Sequence, residues 1–272
     1  MRRRQILYVV LSVVIIITTL IFVINYKFNQ TDKEVAIYNN QVELLFGKNF
    51  ISHVMDDGQS MTFNIFGVQK VTDQGSLTMD LIASMELDNP QLEIVNYDLS
   101  LGETYEEYQF FNILTKIKID SDDIEEANNL IINFKSNGKK TYDIGKIILK
   151  NNKGYTNGRI QPKGEYTVGY PDFSLDFKLI SDQNVSITKV ADLTGLFSHE
   201  FDEQIQITKD EPKHFDVSSF KVEKENFDFY TVTPILHYKV GKKEYLYNLP
   251  SVLYGIMGSE IELIKRIIDA NE

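Results

Sequence analysis

From Ile6 to Ile24 the chain runs 19 residues without a charge, and its small polar residues there are only Ser12, Thr18 and Thr19. As a helix this run would be roughly 28 Å long, close to the ~30 Å hydrocarbon core of a bilayer. Lipid offers the backbone no hydrogen-bond partner, so a helix is the conformation expected, with the hydroxyls bonding back to carbonyls one turn earlier. Tyr8 and Tyr26 fall near its two ends, where amphipathic rings favour the interface. A cleaved secretory signal would have an apolar core of about 7–15 residues and a small-residue cleavage site. This run is longer and leads into Asn25-Tyr26-Lys27-Phe28, and a lipoprotein signal would need a cysteine, of which there is none. The expectation is an uncleaved transmembrane helix over 6–26.

Arg2, Arg3 and Arg4 precede the run, whereas Lys27 is soon followed by Asp32 and Glu34. The positive-inside rule puts a cytoplasmic stub at 1–5 and the bulk of the chain outside the membrane. From Asp32 onward there are 24 basic and 39 acidic side chains, a net charge of −15. Phosphate backbones and anionic head groups want clustered Lys and Arg, so nucleic acid is not an expected partner; the lipid bilayer is contacted through the helix alone. The absence of cysteine excludes a disulfide-stapled scaffold. With the abundance of Ile, Asn, Lys and Tyr, this fits a bacterial cell-envelope protein.

Behind the anchor, Thr31-Asp32 offers an N-cap, and Val35, Tyr38, Val42, Leu45 and Phe46 fall at helical spacing up to Gly47, which predicts a juxtamembrane helix or stalk within 27–50. From Met61 the period becomes two: Met61/Phe63/Ile65, Leu77–Leu81, Leu92–Ile94, Lys116–Ile119, Leu130–Phe134 and Thr141–Leu149, with an Asn137-Gly138 hairpin turn. Gly102 to Phe111 reads as a loop or short helix. A second series holds Tyr166/Val168/Tyr170, Phe173 to Leu179, Val185–Ile187, Ile205–Ile207, Phe220–Val222, Ile235–Tyr238 and Glu244–Leu249. Turn formers concentrate at 151–164, the expected linker.

The two series align as copies. Ile117–Asp120 matches Phe220–Glu223, and Gly138–Tyr142 matches Gly241–Tyr245 without a gap; Met79–Leu81 matches Leu175–Phe177, and Asp98-Leu99 matches Asp192-Leu193, at small offsets. The fold class expected is therefore mainly β. It comprises two tandem antiparallel β-sandwich domains at 51–150 and 165–272, immunoglobulin-like in size and strand spacing but without the Cys–Trp–Cys signature. The second ends in a short helix: Ser259-Glu260-Ile261-Glu262 is a capping box, and Ile261, Leu263, Ile264, Ile267 and Ile268 form an apolar stripe expected to close the second core. Docking of a partner on that stripe is the other reading of it.

Motifs for chemistry fall short of their requirements. Ser-x-x-Lys occurs at Ser136/Lys139, Ser186/Lys189 and Ser218/Lys221, always in a predicted strand or turn, whereas the amine must sit one helical turn from the hydroxyl it deprotonates. His53, His199, His214 and His237 are scattered, and His199–Glu203 lacks the second histidine of a zinc-protease helix. The acidic stretch Asp120 to Glu126 lacks the Gly and Glu that a helix–loop–helix calcium site requires. No catalytic or metal residues, and no cofactor, are expected, and the binding residues are unknown apart from the Tyr245/Tyr247 hairpin as part of a surface. The function expected is a non-enzymatic binding or scaffold protein of the envelope that engages another envelope or extracellular protein. The alternative is a sensor or regulatory ectodomain that binds a small ligand or Ca²⁺ and acts through a membrane partner.

Overall fold

Alternating apolar and polar residues put one side chain in two on the same face of a strand, and this pattern runs from Leu44 to Ile256 before a C-terminal helix. The computed structural model describes residues 42–271 apart from 72–74, 154–158, 165–166, 170–173, 223–226, 250–252 and 257–258. The expected membrane helix and residues 27–41 of the expected stalk lie outside the described residues, as do Tyr166, Tyr170 and Phe173.

The first half supplies β1 (Leu44–Phe46), β2 (Asn49–Met55), β3 (Ser60–Lys70), β4 (Ile82–Leu87), β5 (Leu92–Tyr105), β6 (Tyr108–Ile119), β7 (Ile124–Phe134) and β8 (Gly138–Asn151). The second supplies β9 (Ile160–Pro162), β10 (Thr167–Gly169), β11 (Ser174–Ser181), β12 (Val185–Ala191), β13 (Phe197–Ile207), β14 (Lys213–Val217), β15 (Lys221–Val222), β16 (Phe229–Val232), β17 (Ile235–Val240), β18 (Lys243–Asn248) and β19 (Leu253–Ile256), followed by α1 (Glu260–Asn271). These strands make four sheets: β1-β3-β6-β5, β19-β16-β2-β8-β7-β4, β10-β11-β14 with β9 also on β11, and β15-β13-β12-β17-β18. The chain is mainly β, with its sheets in a sandwich-like arrangement.

Between the first two sheets lies a core that includes Phe63, Ile65, Phe111, Ile113, Leu130, Ile132 and Ile147. A second core, around Phe177, Phe197, Phe215, Leu236 and Tyr238, also takes in Phe50 and Ile148 from the first half. Strand β2 is buried at every position, with Ile51 and Met55 facing the first core and Phe50 the second. It pairs in parallel with β8 on one side and with β16 on the other. A strand in that position loses its alternation, because neither face meets water.

Several expectations change here. Val42 to Gly47 is extended, not helical: Leu44 and Phe46 point inward from β1, which pairs with β3. Spacings of three and four fit such a short stretch as well as alternation does, and sheet pairing decides it. The stretch Gly102 to Phe111 is the closed end of the β5–β6 hairpin, turning at Glu106 with φ 54°. Leu77 lies between β3 and β4, outside any strand, its N–H donating to Gln69 Oε1 at 2.5 Å, and 79–81 form a 3-10 turn. The expected linker holds β9, which pairs with β11. Of the matched segments, Gly138–Tyr142 and Gly241–Tyr245 do open the last strands of two hairpins, β7–β8 and β17–β18. The others join unlike elements: the long central β6 against the two-residue β15, and a 3-10 turn against β11.

Helix α1 is the largest change in packing. Its capping box forms as expected, with the Ser259 N–H donating to Glu262 Oε2 at 2.7 Å and the Glu262 N–H donating to Ser259 Oγ at 3.4 Å. Its apolar stripe does not close the second core. Leu263, Ile264 and Ile267 pack on Phe66, Val68, Phe110 and Phe229, so the helix lies against the outer face of the first sandwich. There β3 is buried on both faces from Ile65 to Gln69.

Candidate binding surfaces

Several of the serines, histidines and acids singled out in the sequence are held by local structure. Ser186 Oγ donates to Gln206 Oε1 at 2.8 Å, two rungs of the β12–β17 ladder away from Lys189. Ser218 follows β14, while Lys221 lies in β15. His199 Nδ1 lies 2.9 Å from Ser219 O, and His214 Nε2 lies 2.6 Å from Asp176 Oδ1. His53 is almost fully buried beside Thr233, its Nδ1 bonded to Thr233 Oγ1 and its ring edge-on to Phe63 at 5.6 Å. Burial pushes its pKa down to about 4, against a smaller opposing pull from Asp56.

The acids between Asp120 and Glu126 disperse to separate partners rather than converging on one point. Asp120 pairs with Lys118, Asp122 with Lys153 at 2.9 Å, and Glu125 accepts from Asn89 Nδ2 at 2.8 Å. The Asn89 and Ser121 hydrogen bonds hold the Glu125 carboxyl below its usual range. Among the described residues no group of three or more His, Asp or Glu is placed to hold a metal ion.

Two clefts lined by described residues lie on the sheets. The smaller, about 350 Å³, is lined by Lys48, Asn128, Asn129, Asp143, Gly145, Lys146 and Phe227. It sits where the two halves are fastened. The Lys48 N–H donates to Asp228 Oδ2 at 2.8 Å, Lys48 Nζ pairs with Asp143, and the Gly145 N–H donates to Asp143 Oδ1 at 3.0 Å. Asn49 Nδ2 donates to Gly47 O at 2.9 Å and to Ile144 O at 3.1 Å. Burial raises the Asp228 carboxyl, with the Lys48 N–H and the charges of Arg266 and Lys48 opposing. Every polar group of this knot that bonds across the β2–β8 edge serves to close a joint, which is a structural use.

The larger cleft, about 580 Å³, lies on the outer side of the last sheet and is lined by Thr188, Lys189, His237, Tyr238, Lys239, Glu244, Tyr245 and Leu246. A bulge creates it. The register of β12 against both β13 and β17 shifts between Ile187 and Lys189, and the extra residue re-aims the side chains beside it. Thr188 Oγ1 donates to His237 O at 3.1 Å, and Lys189 comes opposite His237. Across the hairpin Lys239 pairs with Glu244 at 2.9 Å, and Tyr245 stacks on Tyr238 with centroids 5.5 Å apart. Burial and then Lys189 push the His237 pKa down to about 4, with Glu244 opposing. Of these residues, the sequence reading singled out His237, Tyr245 and, as half of a Ser-x-x-Lys match, Lys189, but it did not bring Lys189 to His237, because that placement depends on a bulge that no residue pattern announces.

The third surface is an edge. Strand β5 pairs with β6 alone among the described strands, and its register shifts twice, between Ile94 and Asn96 and between Leu101 and Thr104. Val95 and Leu101 are more than two-fifths exposed along it, between the carboxylates of Glu93, Asp98 and Glu103.

No known family and no curated protein matches the chain. Among solved structures it is similar to dimeric latent PorU from Porphyromonas gingivalis, at 12% identity over 80% of this chain and 20% of that one, with a TM-score of 0.23. It is also similar to the C-terminal domain of the Streptococcus agalactiae AgI/II polypeptide BspA, at 8% identity over 80% of this chain and 100% of that one, with a TM-score of 0.20. The chain thus spans about a fifth of the PorU chain it matches, and at these scores neither likeness extends to the overall arrangement of the strands.

Proposed function

We propose that this chain is a membrane-anchored, extracytoplasmic binding or scaffold protein of a bacterial cell envelope, built of two immunoglobulin-like sandwiches and acting without catalysis. The strand orders support the architecture. Lettered along the chain as A to G, the first half reads A-B-E-D on one sheet (β1-β3-β6-β5) and A′-G-F-C on the other (β2-β8-β7-β4). The second reads A-B-E (β10-β11-β14) and C′-C-F-G (β13-β12-β17-β18). Those are the sheet memberships of immunoglobulin-type domains. Fold alone names no function.

The observation that carries the binding role is the β5 edge. Fourteen residues long, it has no second partner strand among the described residues, with the Glu103 N–H at its far end taken by Glu260 of α1, and an unpaired edge is a template for another strand. Glu93, Asp98 and Glu103 give that edge a negative charge, so the fitting partner is an extended segment with Lys or Arg. With α1 committed to packing, the helix is not the docking element. A photo-reactive residue at Val95, activated in intact cells, should crosslink one specific protein, and Glu93→Lys with Asp98→Lys should abolish the adduct. An adduct that survives both reversals would overturn this reading of the edge. For the anchor, deleting 6–24 should move the protein from the membrane fraction to the soluble one.

The cleft on the last sheet favours a second reading, an ectodomain that takes up a small ligand and signals through a membrane partner. The dispersed carboxylates of 120–126 give no comparable support to Ca²⁺.

A further inference from the structure

The cleft beside β17 is cationic in a chain whose net charge is −11. We infer that it is a binding site for a small organic oxyanion, a carboxylate or phosphate on a compact body, held by Lys189 and His237. This deepens the small-ligand reading of the same cleft and rests on it.

Geometry comes first. The bulge at Thr188 sets Lys189 level with His237 on β17 and Glu200 on β13. Lys189 lines the cleft together with His237 and Glu244, and its charge lowers the pKa of both. It makes no ion pair among the described residues, including with Glu200, its exposed neighbour on the other side. Lys239 is different, because Glu244 already neutralises it at 2.9 Å. Thr188 spends its hydroxyl hydrogen on His237 O. The charged and titratable groups facing the imidazole are thus Lys189, Lys239 and Glu244, while Glu200 faces Lys189 from behind and Tyr245 stacks on Tyr238 on the other face of the sheet. One positive charge is left uncompensated within the cleft itself.

An imidazole held neutral beside an unpaired ammonium is what an oxyanion would change. A bound carboxylate or phosphate accepts from Lys189, and its charge favours the protonated ring, which then donates a second hydrogen bond. Binding therefore takes up a proton at His237, and affinity rises as the pH falls. Leu246, directly opposite His237 on β18, supplies an apolar wall for the body of the ligand.

With four histidines in the sequence, selective ¹³C-histidine labelling of the full chain in detergent gives a spectrum of four signals, and His237→Gln identifies the relevant one. The probes are inorganic phosphate, acetate and glucuronate, with glucose and calcium chloride as neutral and cationic controls. An oxyanion should shift the His237 signal saturably and raise its titration midpoint, and the apparent Kd should tighten by about threefold or more from pH 7 to pH 5. Lys189→Gln, at a half-buried position of the central strand β12, should weaken binding by about tenfold. His237→Gln should keep binding at pH 7.5, read by calorimetry, but lose its pH dependence. If the controls shift His237 and the oxyanions do not, the cleft takes another ligand class and the oxyanion assignment falls alone. If nothing shifts it, the small-ligand reading falls too. An oxyanion shift that is unchanged in Lys189→Gln would also overturn the site as assigned.

Discussion

At the scale of single residues, two positions hold the molecule to narrow conditions. His53 is neutral in the fold because burial disfavours its charged form, with a pKa near 4 against 6.5 for a free imidazole. An unfolded chain binds the proton between those values and the folded one does not, so stability is full above pH 6.5 and is lost as the pH falls toward 4. For one such group the loss amounts to at most about 3 kcal/mol. Urea titrations at pH 7 and pH 4.5 should show this difference, and it should shrink in the double replacement His53→Leu with Thr233→Val, which removes the imidazole and its hydroxyl partner together. Gly145 is the second position. Its φ is +92°, and a Cβ there would come within 2.6 Å of the Asn49 backbone nitrogen, in the parallel β2–β8 ladder. Gly145→Ala should therefore cost about 2 kcal/mol or more, since the left-handed backbone alone costs about 1–2, and its denaturation midpoint would fall accordingly.

At the scale of elements, α1 is a lid on a sheet rather than the end of a domain. Ser259 and Glu262 satisfy its first N–H groups, Glu260 Oε2 accepts from the Glu103 N–H at 2.7 Å, and the Lys265 ammonium sits 4.6 Å above the Tyr105 ring. Ser259→Ala should destabilise by about 1 kcal/mol. Ile264→Ala, at a fully buried position, should cost about 2–5 kcal/mol through the cavity it leaves. Hydrogen exchange distinguishes the two. The first change should speed exchange mainly in α1, whereas the second should also expose the β3 and β6 amides around Phe66 and Phe110. The capping box was legible because its residues are neighbours in sequence. The destination of the apolar stripe was not, since a stripe at 3.6-residue spacing states that a face is buried without naming what buries it.

At the scale of the whole molecule, the two halves exchange material. Strand β16 leaves the second half to pair with β2, β19 follows it, and α1 closes over the first half. Phe50 and Ile148 return the exchange by entering the second core. The Thr233 N–H donates to Ser52 O at 2.8 Å, the Leu193 N–H to Ser52 Oγ at 3.2 Å, and Asn248 Nδ2 to Asn152 Oδ1 at 3.0 Å. Calorimetry should accordingly show one unfolding transition for both halves. A fragment ending at residue 164 lacks β16, β19 and α1, which bares the β2 edge and the outer faces of Phe66, Val68 and Phe110; on size exclusion it should aggregate rather than run as a folded monomer.

Alternation, turn residues and the capping box depend on neighbours a few positions apart, and these local signals were enough to determine a mainly β chain, most of its strands and its terminal helix. The apolar run of Ile6 to Ile24, an equally local signal that lies outside the described residues, is the basis of the proposed anchor. Only the tertiary structure decided that Val42 to Met55 is two strands, that α1 covers the first sandwich, and that a bulge at Thr188 brings Lys189 to His237. Each of these depends on which surface meets which across 20 or more positions, or on a one-residue slip that turns a side chain to the other face of a sheet. Period and propensity fix the way each segment presents its faces, and the energy of burying those faces against distant partners settles where they go.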